Sequence, residues 1–91
     1  MQEQSCLMTA VRLLLVDDDP NFARISRISL RANKRISFEI ETVQTLQAAL
    51  AILQNKTFQL ILLDLGLPDS QGLGTLEKIV EAHPEIACVI L

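Results

Sequence analysis

Two short apolar runs in this chain stop abruptly on carboxylates, and few folds accommodate that arrangement. Residues 11–16 are apolar except for Arg12 and run into Asp17-Asp18-Asp19-Pro20; residues 60–63, Leu-Ile-Leu-Leu, run into Asp64-Leu65-Gly66-Leu67-Pro68. A continuous apolar run of this length, closed by turn formers, reads as a strand buried on both faces, as in a parallel sheet. The acids then fall at the carboxyl ends of two strands, where open α/β sheets bind their ligands.

Between and after these runs the pattern alternates. Asp19 followed by Pro20 suits a helix start, an N-cap acceptor followed by a residue whose missing N–H costs nothing. The helix is expected to reach about Asn33, turning Phe22, Ile25, Ile28 or Ser29, and Ala32 to the core and grouping Arg24, Arg27 and Arg31 on another face. Five of the eight basic residues lie between Arg24 and Arg35, and a solvated helix face is the simpler account of them than a docking surface. Residues 38–43 alternate as an edge strand does. Thr45 is placed to cap a second helix carrying Leu46, Ala49, Leu50 and Leu53, which ends near Asn55-Lys56.

A loop through Pro68, Ser70 and Gly72 leads from the second acid-ended run to a third helix, with Leu73, Leu76, Ile79 and Val80 on its apolar side. That helix stops at His83-Pro84, because proline restricts the residue before it. His83, the single histidine, reads as a helix-terminal residue favoured by the dipole rather than as a ligand. Residues 86–91 form a last apolar strand. The order βαβαβαβ implies a parallel sheet with right-handed crossovers, built as one small domain with an aliphatic core, since only Phe22, Phe38 and Phe58 are aromatic.

The formal charge of −3 argues against general attraction to nucleic acid. Cys6 and Cys88 have neither metal-ligand nor disulfide-framework spacing and read as reduced thiols. No apolar run approaches the roughly 18 residues of a membrane span, and no signal peptide is evident, so a cytoplasmic location is expected. Residues 1–10 read as a polar leader before a domain over 11–91.

If the acid-ended strands are neighbours, Asp17, Asp18 and Asp64 crowd one crevice. Like charges about 4 Å apart repel by roughly 4 kcal/mol at an effective dielectric near 20, so the cluster must take up protons, be held apart by solvent or hold a cation. Hard oxygen donors with room for water and phosphate oxygens suit Mg2+. Asp19 is accounted for as a cap, and Asp69 as a turn acid or cap outside the site.

The stretches Leu-Leu-Leu-Val-Asp-Asp-Asp-Pro (13–20) and Leu-Ile-Leu-Leu-Asp-Leu-Gly-Leu-Pro-Asp-Ser-Gln-Gly (60–72) resemble the receiver domain of bacterial two-component response regulators. The resemblance rests on an acid pair, a later aspartate, a proline four residues after it and a glycine eight after it. It implies a doubly wound, flavodoxin-like α/β fold with strand order 2-1-3-4, the fifth strand and last helices being absent. It also implies that Asp64 is the phosphoacceptor of a two-component phosphorelay, taking its phosphoryl group from a sensor histidine kinase or phosphotransfer protein. Asp18 would ligate Mg2+ directly, Asp17 through water, and the Gly66 main-chain carbonyl would add a ligand. Such a domain assists its own phosphoryl transfer and is not a turnover enzyme.

The match departs from the family at one end. A hydroxyl directly after the fourth strand and a lysine after the fifth belong to the family pattern, and residues 1–91 contain neither; the chain is expected to be cut short, a poor phosphoacceptor by itself, and prone to self-association through apolar side chains bared on strands 1, 3 and 4. Two rivals stand beside this reading. Asp-x-Asp at 17–19 also occurs in haloacid-dehalogenase-type phosphatases, but Asn21 stands where that family has Thr or Val. A phosphorylation-independent receiver-like binding scaffold is the other.

Overall fold

The computed structural model describes residues 9–91; Cys6 and residues 1–8 of the expected leader lie outside the described residues. Four parallel strands form the main sheet: β1 (Thr9–Val16), β2 (Ile36–Val43), β3 (Leu60–Leu63) and β6 (Ala87–Ile90), in the order β2-β1-β3-β6. Helices α1 (Pro20–Arg31), α2 (Leu46–Asn55) and α3 (Leu73–Ala82) connect them. This is the expected doubly wound α/β architecture with the expected strand order.

The handedness rule explains which face each helix covers. From β1 the chain steps outward to β2, then crosses back past β1 to β3 and on to β6. Right-handed crossovers in opposite directions place their helices on opposite faces. Accordingly Leu14, Val16, Ile61 and Leu63 pack with Leu46, Ala49 and Leu53 of α2 and Ile79 of α3, whereas Leu13 and Leu15 pack with Ala23 of α1. The reversal occurs between β1 and β3, which makes their carboxyl ends the switch point of the sheet.

The caps of the first two helices follow from sequence. Asp19 Oδ1 accepts from the N–H of Asn21 at 2.9 Å and of Phe22 at 3.4 Å, and Thr45 Oγ1 accepts from Ala48 N at 3.0 Å. β2 is an edge strand, as its alternation predicts, although it begins two residues earlier than residue 38. His83 caps the carboxyl end of α3, its N–H reaching the Ile79 carbonyl.

The apolar stripe of α1 does not face the core. Phe22, Ile25 and Ile28 are 42%, 60% and 63% exposed, and Ala32 is exposed as well, while Ala23 is buried and Ser26 and Leu30 are half-buried. The helix meets the sheet along Ala23, Ser26 and Leu30, a seam with i, i+3, i+7 spacing whose small residues admit close approach; periodicity identified an apolar stripe but not which side touches the sheet. In α3 the expected Leu73 and Val80 are exposed, and Thr75 takes the inward place beside Ile79.

The expected baring of strands 1, 3 and 4 holds for the fourth strand, β6, and is corrected for the other two. Leu13 to Val16 of β1 and Ile61 and Leu63 of β3 are fully buried, because α1 on one face and α2 with α3 on the other cover them. Among the described residues the exposed large apolar side chains are Val89 and Ile90 of β6, as expected of that strand, with Leu91, Leu73 and Val80 of α3, and Phe22, Ile25 and Ile28 of α1. Where a simple loop was expected after β3, the chain makes a small antiparallel hairpin, β4 (Gly66–Leu67) with β5 (Ser70–Gln71).

Candidate phosphoacceptor and metal site

Register brings the acids together. Val16 of β1 lies opposite Leu63 of β3, so Asp17 and Asp64 are the next positions on neighbouring parallel strands. The ladder continues past both ends: Asp64 N donates to the Val16 carbonyl at 2.9 Å and Asp17 N to the Val43 carbonyl at 3.0 Å. Carboxylate oxygens of Asp17, Asp18 and Asp64 all lie within 4.8 Å of one another. Three of the four residues expected at the site therefore converge at the switch point.

Their environments differ. Asp17 is 3% exposed, Asp64 half-buried and Asp18 exposed. Burial holds the Asp17 carboxyl above its usual range; the Asp19 N–H, donating to Oδ1 at 2.9 Å, opposes that shift, and the charges of Asp64 and Asp18 add to it. A buried carboxylate disfavoured in its charged form is the condition that a cation relieves. Asp64 Oδ1 accepts from the Gly66 N–H at 2.9 Å, which places the fourth expected residue beside the acid through its amide.

The donor set fits a hard divalent ion. Three hard carboxylate donors within 4.8 Å of one another, with room for water beside them, are a set that would hold Mg2+. Beside the acids a cleft of about 250 Å³ is lined by Asp17, Asp19, Phe22, Asp64 and Leu91, with no Lys or Arg among them.

The loop after Asp64 is more ordered than its sequence suggested. Gly72 N donates to the Leu65 carbonyl at 2.8 Å and closes the hairpin, and Gly72 adopts φ 74°, ψ −163°, a conformation that a residue with a Cβ adopts only under strain. Leu67 is buried in the core, and Ser70 Oγ shares a 2.6 Å hydrogen bond with Thr75 Oγ1. Asp69 is a cap, as expected of a turn acid, but of a distant helix. Its Oδ1 accepts from Leu46 N at 2.8 Å and its Oδ2 from Gln47 N at 2.9 Å, both at the start of α2. Those two N–H groups hold the Asp69 carboxyl below its usual range. The local sequence signalled a turn at Leu67-Pro68-Asp69; nothing local signals a partner 22 or 23 residues away.

Cys88 is a free, half-buried thiol whose pKa burial pushes up, in keeping with an inert cysteine. His83 lies away from the acids, its Nδ1 3.6 Å from Glu85 Oε2. Among the described residues, no helix is long and apolar enough to cross a membrane.

An acid-lined switch point on a 2-1-3 parallel sheet is a feature shared with known proteins. The family model of the response regulator receiver domain matches residues 13–91, and the chain belongs to that family. It is 39% identical over 79 residues to the photosynthetic apparatus regulatory protein RegA of Rhodobacter capsulatus, an alignment covering 87% of this chain and 41% of that protein. Among solved structures it resembles a mutant of the response regulator MaeR bound to sulfate (TM-score 0.82, 25% identity, 91% of this chain and 67% of that one). It also resembles a CheY-like receiver domain protein from Methanospirillum hungatei (TM-score 0.78, 30% identity, 90% and 63%). The chain spans less than half the length of the curated relatives it matches.

Proposed function

We propose that this receiver domain, acting in the cytoplasm, accepts a phosphoryl group on the Asp64 carboxylate from a phosphohistidine of a sensor histidine kinase or phosphotransfer protein. Mg2+ would be held by Asp17, Asp18 and Asp64 with the Gly66 main-chain carbonyl. The supporting observation is the convergence of three carboxylates at the switch point, one of them buried and unfavourably charged. Bound there, the metal supplies positive charge against the phosphoryl oxygens, the main source of catalysis in phosphoryl transfer.

The chain's own residues account for the rest. Asp64 Oδ1 is held by the Gly66 N–H, which orients the carboxylate and leaves Oδ2 to attack phosphorus. The donor ring, protonated by solvent at its other nitrogen, loses its P–N bond as the acyl phosphate O–P bond forms, and leaves as neutral imidazole. Asp17 and Asp18 provide the negative charge that recruits the cation, and Asp18, the exposed member, is the better placed to ligate it directly.

With three carboxylates converging at the site, transfer from a small donor depends on the metal to offset their charge. Incubation with acetyl phosphate, followed by intact mass and mapping of the modified residue, tests this. The expected result is partial modification at Asp64 with Mg2+, and none with chelator or in Asp64→Asn. Modification at another residue, or none with Mg2+, would leave the docking-scaffold reading in its place.

A further inference from the structure

One ligand of the proposed metal site, the Gly66 carbonyl, comes from a loop rather than from a strand end, and a loop ligand is only as well placed as the loop is held. The hairpin that carries it is fixed along its length. Gly66 pairs with Gln71 and Leu67 with Ser70, the Gly72 N–H closes it onto the Leu65 carbonyl, and Leu67 is buried. Its exposed tip, Pro68 and Asp69, is tied across the surface to α2. Both oxygens of Asp69 are engaged, one by Leu46 N at 2.8 Å and the other by Gln47 N at 2.9 Å.

The start of α2 already has a local cap in Thr45, whose hydroxyl takes the Ala48 N–H. Thr45 serves the third N–H of the helix and Asp69 the first two, so Asp69 adds two bonds between the helix start and the hairpin tip that the local cap does not supply. The Asp69 bonds therefore constrain the hairpin at least as much as the helix, and charge-assisted bonds from both carboxylate oxygens fix orientation as well as distance.

We infer that Asp69 is a positioning residue for the metal site: by locking the hairpin tip to the amino terminus of α2, it holds the Gly66 backbone in register with Asp64. This rests on the reading of Gly66 as a metal ligand. Partners that orient a ligand typically change metal affinity by about 10- to 100-fold when removed, and a tie at the far end of the hairpin acts less directly.

The test is Mg2+ affinity by titration in Asp69→Ala, Asp69→Asn and Thr45→Ala, with thermal melting of each variant. Asp69→Ala is expected to weaken Mg2+ binding roughly 3- to 10-fold. Asp69→Asn, which keeps one acceptor oxygen and so one of the two bonds, should weaken it by about 2-fold or somewhat more. Thr45→Ala removes a cap from the same helix end without touching the hairpin, so it should lower the melting temperature and leave Mg2+ affinity within about 1.5-fold of wild type. Unchanged affinity in Asp69→Ala, or equal losses in Thr45→Ala and Asp69→Ala, overturns the inference while leaving the metal site standing. If Asp69→Ala does not fold, Asp69→Asn decides alone, and wild-type affinity in it overturns the inference. Absence of Mg2+ binding by the wild-type protein removes the metal reading and this inference together.

Discussion

The acids where β1 and β3 end and the acid at the tip of the β4–β5 hairpin are the same chemical group held under opposite conditions. Asp69 is exposed, and both its oxygens accept backbone N–H groups at the start of α2, so its charge is fully used within the fold. Asp17 is buried beside two further carboxylates with one backbone N–H to set against them. Satisfied charge marks a structural device. Uncompensated charge, kept at the switch point of the sheet, marks a place where something from outside completes the arrangement.

The largest effect that would sharpen this contrast is on metal binding. Asp18→Asn is expected to weaken Mg2+ affinity by about tenfold or more, since it removes a full ligand charge; a change of less than about twofold would place the ion elsewhere.

A smaller effect, of opposite sign to most substitutions, concerns stability. Asp17→Asn keeps an oxygen for the Asp19 N–H but removes the buried charge, so without metal at neutral pH it should raise the melting temperature by about 2–5 °C. An unchanged or lowered melting temperature would mean that the charge at Asp17 is compensated after all.

The smallest effect is the pH dependence, in which the two acids oppose each other. Asp69 lies below the ordinary value of 3.8 in the folded state, so its contribution is complete above that value and is lost as pH falls through the folded value. Asp17 lies above 3.8, so its contribution is complete below 3.8 and is lost as pH rises towards its folded value. Melting across this acid range should therefore show Asp69→Asn destabilised at neutral pH and converging on wild type in acid. Asp17→Asn should show its advantage only on the neutral side. Parallel curves for the two variants would break the comparison.

How much of this was legible in the sequence depends on how far each feature reaches along the chain. The acid-ended strands were, because a strand buried between two helix layers must be apolar throughout, and a change from leucine to aspartate marks where the layers end. The caps at Asp19 and Thr45 were, since their partners lie within three residues. The orientation of α1 was not, because Phe22, Ile25 and Ile28 make a better apolar stripe than the Ala23, Ser26 and Leu30 seam that meets the sheet. Thr75 displaced Leu73 from the inward position because its hydroxyl found Ser70 on a hairpin that local turn signals did not specify. The role of Asp69 was half legible: its residue type announced a cap, but the capped helix was set by tertiary structure.

The most direct measurement is a Mg2+ titration of the protein followed residue by residue through backbone amide NMR shifts. The account predicts saturable shifts centred on Asp17, Asp18, Asp64 and Gly66, with the Asp69 amide and its partners Leu46 and Gln47 moving little. Shifts absent from the ends of β1 and β3, or centred on Asp69, would contradict it.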